Sequence, residues 1–278
     1  MTAPPVLDKR RLLIWQSTTV VLLFCGYAAY YFCRSNLSVG MPLIIGELAR
    51  GGMDPGQATI RLGSVISFGV LAYAVGKLLL AGLADFFGGR PNFLGGLAGA
   101  VAFTLLFTAG GSIPIFTMAW IANRFAQSAG WAGLVKIASR WFSYRSYGIV
   151  MGILSISYLV GDAVGRASMG ALIAAGYGWR EVFWFAAVAA LLILAISFFV
   201  LKNRAVDAGL PDPEVNPLNL FRSEVSGDHP RSITGLIGTL LRNPAFLIVC
   251  ALSGGTTLVR ETFNSWTPTY FHQFVGLS

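Results

Sequence analysis

The sequence predicts an all-α protein that crosses a membrane several times. Of its 278 residues, 55% are hydrophobic and only 12% are charged, whereas soluble domains carry about 25% charged residues. So few charges cannot cover a water-soluble globule of this size with polar surface. The apolar residues also fall in long segments, which is the second observation behind this fold class. In such a chain, length sets the number of spans rather than the number of soluble domains.

Seven segments are apolar over the ~20 residues that a helix needs to cross a bilayer. Their approximate ranges are 12–45, 60–84, 91–110, 113–137, 147–174, 181–201 and 244–272. The first of them follows a basic stretch, as a signal peptide does. It is too long for a signal peptide, contains Arg34 and lacks a small-residue cleavage site, so we expect a first span.

The distribution of Lys and Arg residues predicts a cytoplasmic N-terminus, because these residues concentrate in cytoplasmic loops. The eleven that would face the cytoplasm are Lys9, Arg10, Arg11, Arg90, Arg140, Arg145, Lys202, Arg204, Arg222, Arg231 and Arg242. The three in outer loops are Arg50, Arg61 and Arg180. We expect a multi-pass protein of the plasma (inner) membrane. The same bias explains the net charge of +8 without a nucleic-acid partner.

One long polar segment, 203–243, is rich in Pro, Gly, Ser and charged residues, a composition typical of linkers. It divides a six-helix transmembrane half, residues 1–202, from a seventh helix in residues 244–278. The two sides share a spacing, since Arg34 precedes Pro42 by eight residues and Arg260 precedes Pro268 by eight. Transporters are often built from such repeats. The seventh helix then begins a second half whose other helices are missing, as in a truncated chain.

Arg34 lies deep in the first span, where a charge is costly unless it pairs, faces a cavity or has a function. At ~100° per residue, Tyr27, Tyr31 and Arg34 lie within about 40–60° of one another on one side of the helix. A guanidinium can bind two oxygens of a phosphate or carboxylate at once. We therefore predict that Arg34 and Arg260, one from each repeat, clamp one multivalent anion. Tyr27 and Tyr31 can brace the guanidinium or donate to the bound anion, and we assign both to substrate binding as well.

Four further charged residues lie within the spans. Lys77 either draws an anion toward the site or extends its amine toward the membrane surface. Asp162 and Arg166 have the i,i+4 spacing of a helical ion pair, which is either structural or, with a protonatable Asp162, a coupling site. Arg124 is a further buried cation, assigned with them to coupling or gating.

The sequence contains none of the usual enzyme patterns, such as GxSxG, a phosphate-binding loop or paired carboxylates at catalytic spacing. Cys25, Cys33 and Cys250 lie in apolar segments without metal-ligand spacing. We expect a protein that is not an enzyme and that uses neither a metal nor another cofactor. The expected partners are a small anionic substrate and the lipid bilayer, and the oligomeric state stays open.

The segment GYAAYYFCRSNLSVGMP, residues 26–42, resembles the first span of the organophosphate:phosphate antiporters. These form a branch of the major facilitator superfamily that includes the glycerol-3-phosphate and hexose-phosphate exchangers. KLLLAGLAD is similar to their second span, AQSAGWAG to their fourth and LVRETFNSWTPTY to their seventh. LADFFGGR keeps Asp85, Gly88 and Arg90 of the superfamily's loop motif. The resemblance covers essentially the whole chain.

This resemblance implies a twelve-helix transporter that works by alternating access. The chain would hold the N-terminal six-helix half of the major facilitator fold and the first helix of the C-terminal half. The family's two substrate arginines fall on Arg34 and Arg260, and its second-span lysine falls on Lys77.

Two departures from the family bear on the coupling. Ser35 stands where the family often has a lysine, and the phosphate-binding histidine of the fifth span falls on Ser157 or Tyr158, with Asp162 beyond. Exchange with phosphate and coupling to protons therefore both stay open. A membrane sensor of a sugar phosphate and a non-functional truncated fragment are the alternative functions.

Overall fold

The computed structural model describes residues 9–80, 82–214, 241–242 and 244–275, apart from the side chains of Asp85 and Phe246. Over these ranges the regular elements are helices, without a strand, which confirms the predicted all-α class. The α-helices are α1 Lys9–Arg50, α2 Pro55–Leu80, α3 Leu83–Phe87, α4 Gly89–Ala109, α5 Ile113–Gln127, α6 Ala129–Trp141, α7 Tyr144–Ala174, α8 Trp179–Val200 and α9 Pro244–Tyr270. A 3-10 helix spans Ala205–Ala208 and a π-helix spans Phe271–Val275.

Among the described residues, five helices are long and apolar enough to cross a membrane, namely α1, α2, α4, α7 and α8. They coincide with five of the seven predicted spans. α9 coincides with the seventh and has 27 residues, but it is not one of the five. Its central SGGTT and the adjacent Arg260 and Glu261 lower its hydropathy.

The fourth predicted span, 113–137, is interrupted at Ser128, between α5 and α6. The backbone N–H of Ser128 donates to the carbonyl of Phe125 at 3.1 Å, and its Oγ donates to the same carbonyl at 2.6 Å. The helix therefore tightens into i→i−3 bonding. This happens where α6 approaches α1, since a Cβ on Gly130 would lie 2.7 Å from Cζ of Tyr30. The predicted fourth span thus consists of two consecutive helices, α5 and α6, joined at Ser128.

The chain forms two compact units, residues 1–214 with 268–278, and residues 215–267. In the first unit α1 packs against α7 and α8, α2 packs against α5, and α4 packs against α5, α6 and α8. The largest fully buried side chains of its main core are Trp141, Tyr30, Phe93, Leu23 and Leu97. Because α1 contacts helices on several sides, polar residues of α1 can lie in the interior of this unit.

Gly161 sets how closely α7 approaches α1. A Cβ at this position would lie 2.6 Å from the Cα of Ala28 and 2.7 Å from its carbonyl oxygen. The two backbones are therefore in direct contact, as small residues allow in membrane helices. This contact brings the next residue of α7, Asp162, against α1.

The first residues of the predicted linker pack onto the first unit. Ala205 and Leu210 are buried in its core, Nη2 of Arg11 donates to the carbonyl of Ala208 at 2.8 Å, and Nε1 of Trp141 donates to that of Lys202 at 3.1 Å. This unit thus extends beyond the predicted boundary at residue 202. Residues 215–240 lie outside the described residues, so the rest of the linker stays a prediction.

Candidate functional site

Arg34 is half-buried on α1, and neutral side chains orient it. Its Nη1 donates to Oη of Tyr31 at 3.1 Å, and its Nε donates to Oε1 of Gln127 on α5 at 3.2 Å. Its Cζ lies 4.7 Å from the ring centroid of Tyr31. These contacts help to orient the guanidinium, and the predicted proximity of Tyr31 and Arg34 is present.

Tyr73 on α2 joins three of the predicted cations. Its ring centroid lies 4.6 Å from Cζ of Arg34, 5.0 Å from Cζ of Arg124 and 5.1 Å from Nζ of Lys77. Since all three contact one ring, their charges lie no more than about 10 Å apart. Like charges repel at such distances, and an anion among them would relieve that repulsion. We call Arg34, Tyr73, Lys77 and Arg124 the cation cluster.

Tyr73 was not among the site residues predicted from the sequence. The available signal was its i,i+4 spacing from Lys77, which puts both side chains on one face of α2. Lys77 itself is exposed and lies in the last turn of α2, nearer the helix end than the predicted second span, 60–84, placed it. Arg124, by contrast, is only 3% exposed.

Two buried amide side chains, those of Gln127 and Asn123, form a hydrogen-bond network that holds Arg34 in position. Nε2 of Gln127 donates to Oδ1 of Asn123 at 2.5 Å. Nδ2 of Asn123 donates to the carbonyl of Ala100 at 2.8 Å and to Oγ1 of Thr104 at 3.0 Å. These bonds join α1, α4 and α5, so the orientation of Arg34 is built into the bundle rather than left to a mobile side chain.

Tyr27 is 7% exposed and belongs to an aromatic cluster. Its ring centroid lies 5.8 Å from those of Tyr30 and Tyr31 and 5.2 Å from that of Trp131. It braces Tyr31, which contacts Arg34. Its predicted role as a substrate ligand stays a prediction.

Asp162 and Arg166 form the predicted i,i+4 ion pair on α7, with Nε of Arg166 at 2.9 Å from Oδ2 of Asp162. α1 contacts both residues. Oγ of Ser35 is hydrogen-bonded to Oδ1 of Asp162, and Nη1 of Arg166 donates to Oγ of Ser38 at 3.4 Å. We call these four residues the ion-pair cluster. Ser35 directly follows Arg34 on α1, but it contacts α7, whereas Arg34 contacts α2 and α5.

Arg90, from the predicted loop motif, joins the start of α4 to the end of α8. Its Nε donates to the carbonyl of Leu201 at 2.6 Å, its Nη2 donates to that of Phe198, and its backbone N–H donates to Oδ1 of Asn203 at 3.0 Å. The side chain of Asp85 lies outside the described residues. Arg90 thus anchors the end of α8, which agrees with a structural role.

Arg260 lies on α9, with its Nη2 at 3.8 Å from Oε1 of Glu261. Side chains of adjacent helical residues generally point apart, but these two long side chains turn toward each other. The predicted pairing of Arg34 with Arg260 across a site stays a prediction, because the two arginines belong to different units.

A second network of charges, which the sequence did not indicate, joins the end of α1 to the start of α8. Nη1 of Arg180 donates to both carboxylate oxygens of Glu47, at 2.9 and 2.7 Å. Nε1 of Trp179 donates to the same carboxylate at 2.7 Å, and Cζ of Arg180 lies 4.2 Å from the Trp179 ring. We call these three residues the outer network, because the predicted orientation places Arg180 in an outer loop.

Over the described ranges, no group of three or more His, Cys, Asp or Glu side chains could hold a metal ion. The three cysteines are free thiols.

Long apolar helices and a cluster of cations around one tyrosine ring are the features of an integral membrane protein with a candidate anion site. The chain matches the Major Facilitator Superfamily over residues 23–278. It therefore belongs to this superfamily, as the sequence motifs predicted.

Several curated relatives carry names that agree with the predicted branch. The "Glycerol-3-phosphate transporter" of Bacillus subtilis is 24% identical over 264 residues, which cover 92% of this chain and 57% of the relative. The "Probable hexose phosphate transport protein" of Chlamydia trachomatis is 26% identical over 231 residues, 83% of this chain and 47% of the relative. The "Membrane sensor protein UhpC" of Escherichia coli is 24% identical over 286 residues, which cover 99% of this chain and 62% of the relative. The chain thus spans about half the length of these relatives.

Solved structures with low identity show the fold. A bacterial homolog of the human lysosomal transporter Spinster, inward-facing and unoccupied, superposes with a TM-score of 0.69 at 14% identity, over 95% of this chain and 57% of that chain. The peptide transporter POT in complex with alafosfalin superposes with a TM-score of 0.58 at 16% identity, over 80% of this chain and 45% of that chain. The fold agrees with the N-terminal part of a major facilitator.

Proposed function

We propose that this chain forms part of a secondary active transporter for a phosphorylated metabolite or a similar small organic anion. The observation that carries the proposal is the cation cluster, in which Arg34, Lys77 and Arg124 surround Tyr73. A multivalent anion is the ligand that such a grouping suits best, because it neutralises several charges at once. The names of the glycerol-3-phosphate and hexose-phosphate relatives supply the substrate class.

Within this proposal, Arg34 binds the anion with its planar fork, while Tyr31 and Tyr27 line the site. Lys77 contributes a positive charge at one end, and Arg260 contributes the second guanidinium from the C-terminal half. Rocking of the two halves then exposes the site to each side of the membrane in turn. The transported anion moves either in exchange for phosphate or together with protons, and Asp162, Arg166 and Arg124 serve coupling or gating.

The proposal includes a membrane arrangement. The N-terminus faces the cytoplasm and the protein lies in the inner membrane. Residues 1–202 form the six-helix half, 203–243 the cytoplasmic linker, and 244–278 the start of the second half. The excess of Lys and Arg in the predicted cytoplasmic segments supports this orientation.

Uptake of labelled glycerol-3-phosphate into proteoliposomes tests the function. Because the proposal makes this chain one part of the transporter, the whole transporter that contains it is purified and reconstituted with phosphate inside, with a proton gradient, and with neither. We expect uptake under one of the two gradients, its loss in Arg34→Lys, and normal uptake in the control Arg61→Lys, whose residue is exposed on α2. Uptake by Arg34→Lys equal to that of the unmodified chain would sink the proposal.

A membrane sensor is the second candidate function, because the relative from Escherichia coli that matches 99% of this chain is named a sensor protein. A sensor binds its ligand at the same cation cluster but moves nothing across the membrane. Calorimetric binding of glycerol-3-phosphate without uptake in either gradient would favour this function over transport.

A further inference from the structure

We propose that Tyr158 binds the organic part of the anion and makes the site prefer a phosphorylated sugar ring over a short-chain phosphate ester. The inference rests on the proposed function, and it names a specificity-determining residue and the kind of ester. It starts from the ring of Tyr158 on α7, whose centroid lies 5.7 Å from that of Tyr31 on α1. Oη of Tyr31 in turn accepts a hydrogen bond from Nη1 of Arg34.

The structure distinguishes Tyr158 from Ser157, the two residues on which the family's phosphate-binding histidine falls. Ser157 is fully buried, and its Oγ donates to the carbonyl of Leu154 in its own helix at 2.5 Å. Tyr158 is half-buried and contacts α1. Asp162, four residues farther along the same face of α7, also contacts α1, through Ser35. Of the two candidates, Tyr158 is therefore the one whose side chain lies next to the anion site.

A tyrosine offers a ligand a different contact from that of a histidine. Its hydroxyl adds no positive charge for a phosphate group, but its ring provides an apolar face with a polar group at one end. A sugar ring has flat faces of C–H groups that pack on an aromatic ring, and hydroxyls that bond to a phenol. A three-carbon ester has no comparable face. Tyr158 therefore suits the organic part of a sugar phosphate better than its phosphate.

The position of Tyr158 relative to Arg34 allows one ligand to contact both. Cζ of Arg34 lies 4.7 Å from the ring centroid of Tyr31, and the Tyr158 ring lies 5.7 Å beyond. These two distances place the Tyr158 ring within about 10 Å of the guanidinium. A hexose phosphate whose phosphate is bound at Arg34 can therefore extend its ring past Tyr31 to Tyr158.

The two tyrosine hydroxyls differ in their hydrogen bonds. Oη of Tyr31 is bonded to Arg34 and so helps to orient the guanidinium. Within the part of the chain that the structure describes, Oη of Tyr158 has no hydrogen-bond partner. Because Tyr158 is half-buried, this hydroxyl can bond to a hydroxyl of the ligand. Tyr31 is thus a positioning residue for Arg34, and Tyr158 is the residue that contacts the sugar.

Calorimetry on the whole transporter that contains this chain tests the inference with glucose 6-phosphate, glycerol-3-phosphate and inorganic phosphate. We expect glucose 6-phosphate to bind about tenfold more tightly than glycerol-3-phosphate. Tyr158→Leu should lower the affinity for glucose 6-phosphate about tenfold and leave that for inorganic phosphate within about threefold. Tyr158→Phe keeps the ring and should lose no more than about threefold for any ligand. The control Tyr177→Leu, which removes a tyrosine that is 53% exposed beyond the end of α7, should bind all three as the unmodified protein does.

The results that would overturn the inference are separate from those that would overturn the proposed function. Equal losses for glucose 6-phosphate and inorganic phosphate in Tyr158→Leu would mean that Tyr158 only supports the structure of the site. Equal affinities of the unmodified protein for the two esters would also overturn the inference, while leaving the anion site in place. Absence of binding of all three ligands overturns the proposed function and this inference with it.

A second measurement needs no variant and applies if Tyr158→Leu does not fold. Glucitol 6-phosphate has the same charge and number of carbons as glucose 6-phosphate but no ring. We expect it to bind to the unmodified protein about tenfold more weakly than glucose 6-phosphate, because it lacks the flat face that packs on Tyr158. Equal binding of these two esters overturns the inference.

Discussion

The cation cluster and the outer network are built from similar kinds of residues but differ in how their charges are balanced. In both, a cation lies over an aromatic ring. In the outer network, one carboxylate, that of Glu47, accepts two bonds from Arg180 and one from Trp179. In the cation cluster, three positive groups gather around the neutral ring of Tyr73. The balanced charges of the outer network join two helices, whereas a concentration of cations, as in the cation cluster, is typical of an anion-binding site.

This comparison separates stability from binding. Removing a cation from the outer network leaves a carboxylate without its partner, so the folded state loses stability. Removing one from the cation cluster relieves repulsion, so the fold tolerates the change while anion affinity falls. The variants below test whether the two effects can be separated.

The contact between α1 and α7 underlies both regions, because α1 carries residues of each. Gly161→Ala should lower the free energy of unfolding by about 2 kcal/mol, since its Cβ would meet the backbone of Ala28. Chemical unfolding in detergent measures the loss. The matched variant Gly170→Ala, in the same helix with nothing within 4 Å of the new Cβ, should lose no stability, and an equal loss in both would contradict the account.

Tyr73 is expected to matter through its ring rather than through its hydroxyl. Tyr73→Leu should reduce the affinity for glycerol-3-phosphate about tenfold, because it removes the surface that spaces the three cations. Tyr73→Phe keeps the ring and should stay within about threefold of the unmodified chain. Calorimetry measures the affinity of the two variants for glycerol-3-phosphate. Equal losses of affinity in both would mean that the hydroxyl, and not the ring, is responsible.

Arg180→Gln should lower the free energy of unfolding by about 1 kcal/mol, a modest value because both partners are partly exposed, at 39% and 40%. Its affinity for glycerol-3-phosphate should not change. A large loss of affinity with unchanged stability would break the distinction between the two regions.

Part of this site follows from helical periodicity alone. The i,i+3 spacing placed Tyr31 beside Arg34, and the i,i+4 spacing paired Asp162 with Arg166. Both inferences use neighbours along one helix, where spacing fixes direction. Superfamily membership was predicted from sequence motifs, and the motif of residues 26–42 carries Tyr31 and Arg34.

What the sequence did not reveal depends on contacts between distant segments. Gln127 meets Arg34 across 93 residues, and Arg180 meets Glu47 across 133. Periodicity gives the face of a helix but not which helix it meets. The packing of residues 203–214 was missed for a related reason, because a polar average composition hid Ala205 and Leu210, whose burial needs only a few apolar contacts.

The central claim is that the cation cluster binds a phosphorylated anion. Titration of the purified chain with glycerol-3-phosphate and, separately, with glycerol tests it most directly, in the unmodified chain and in Arg34→Gln. We predict binding of the phosphate ester but not of glycerol, and a loss of about 100-fold in Arg34→Gln in a variant that stays folded. Equal affinity in the two proteins would contradict it.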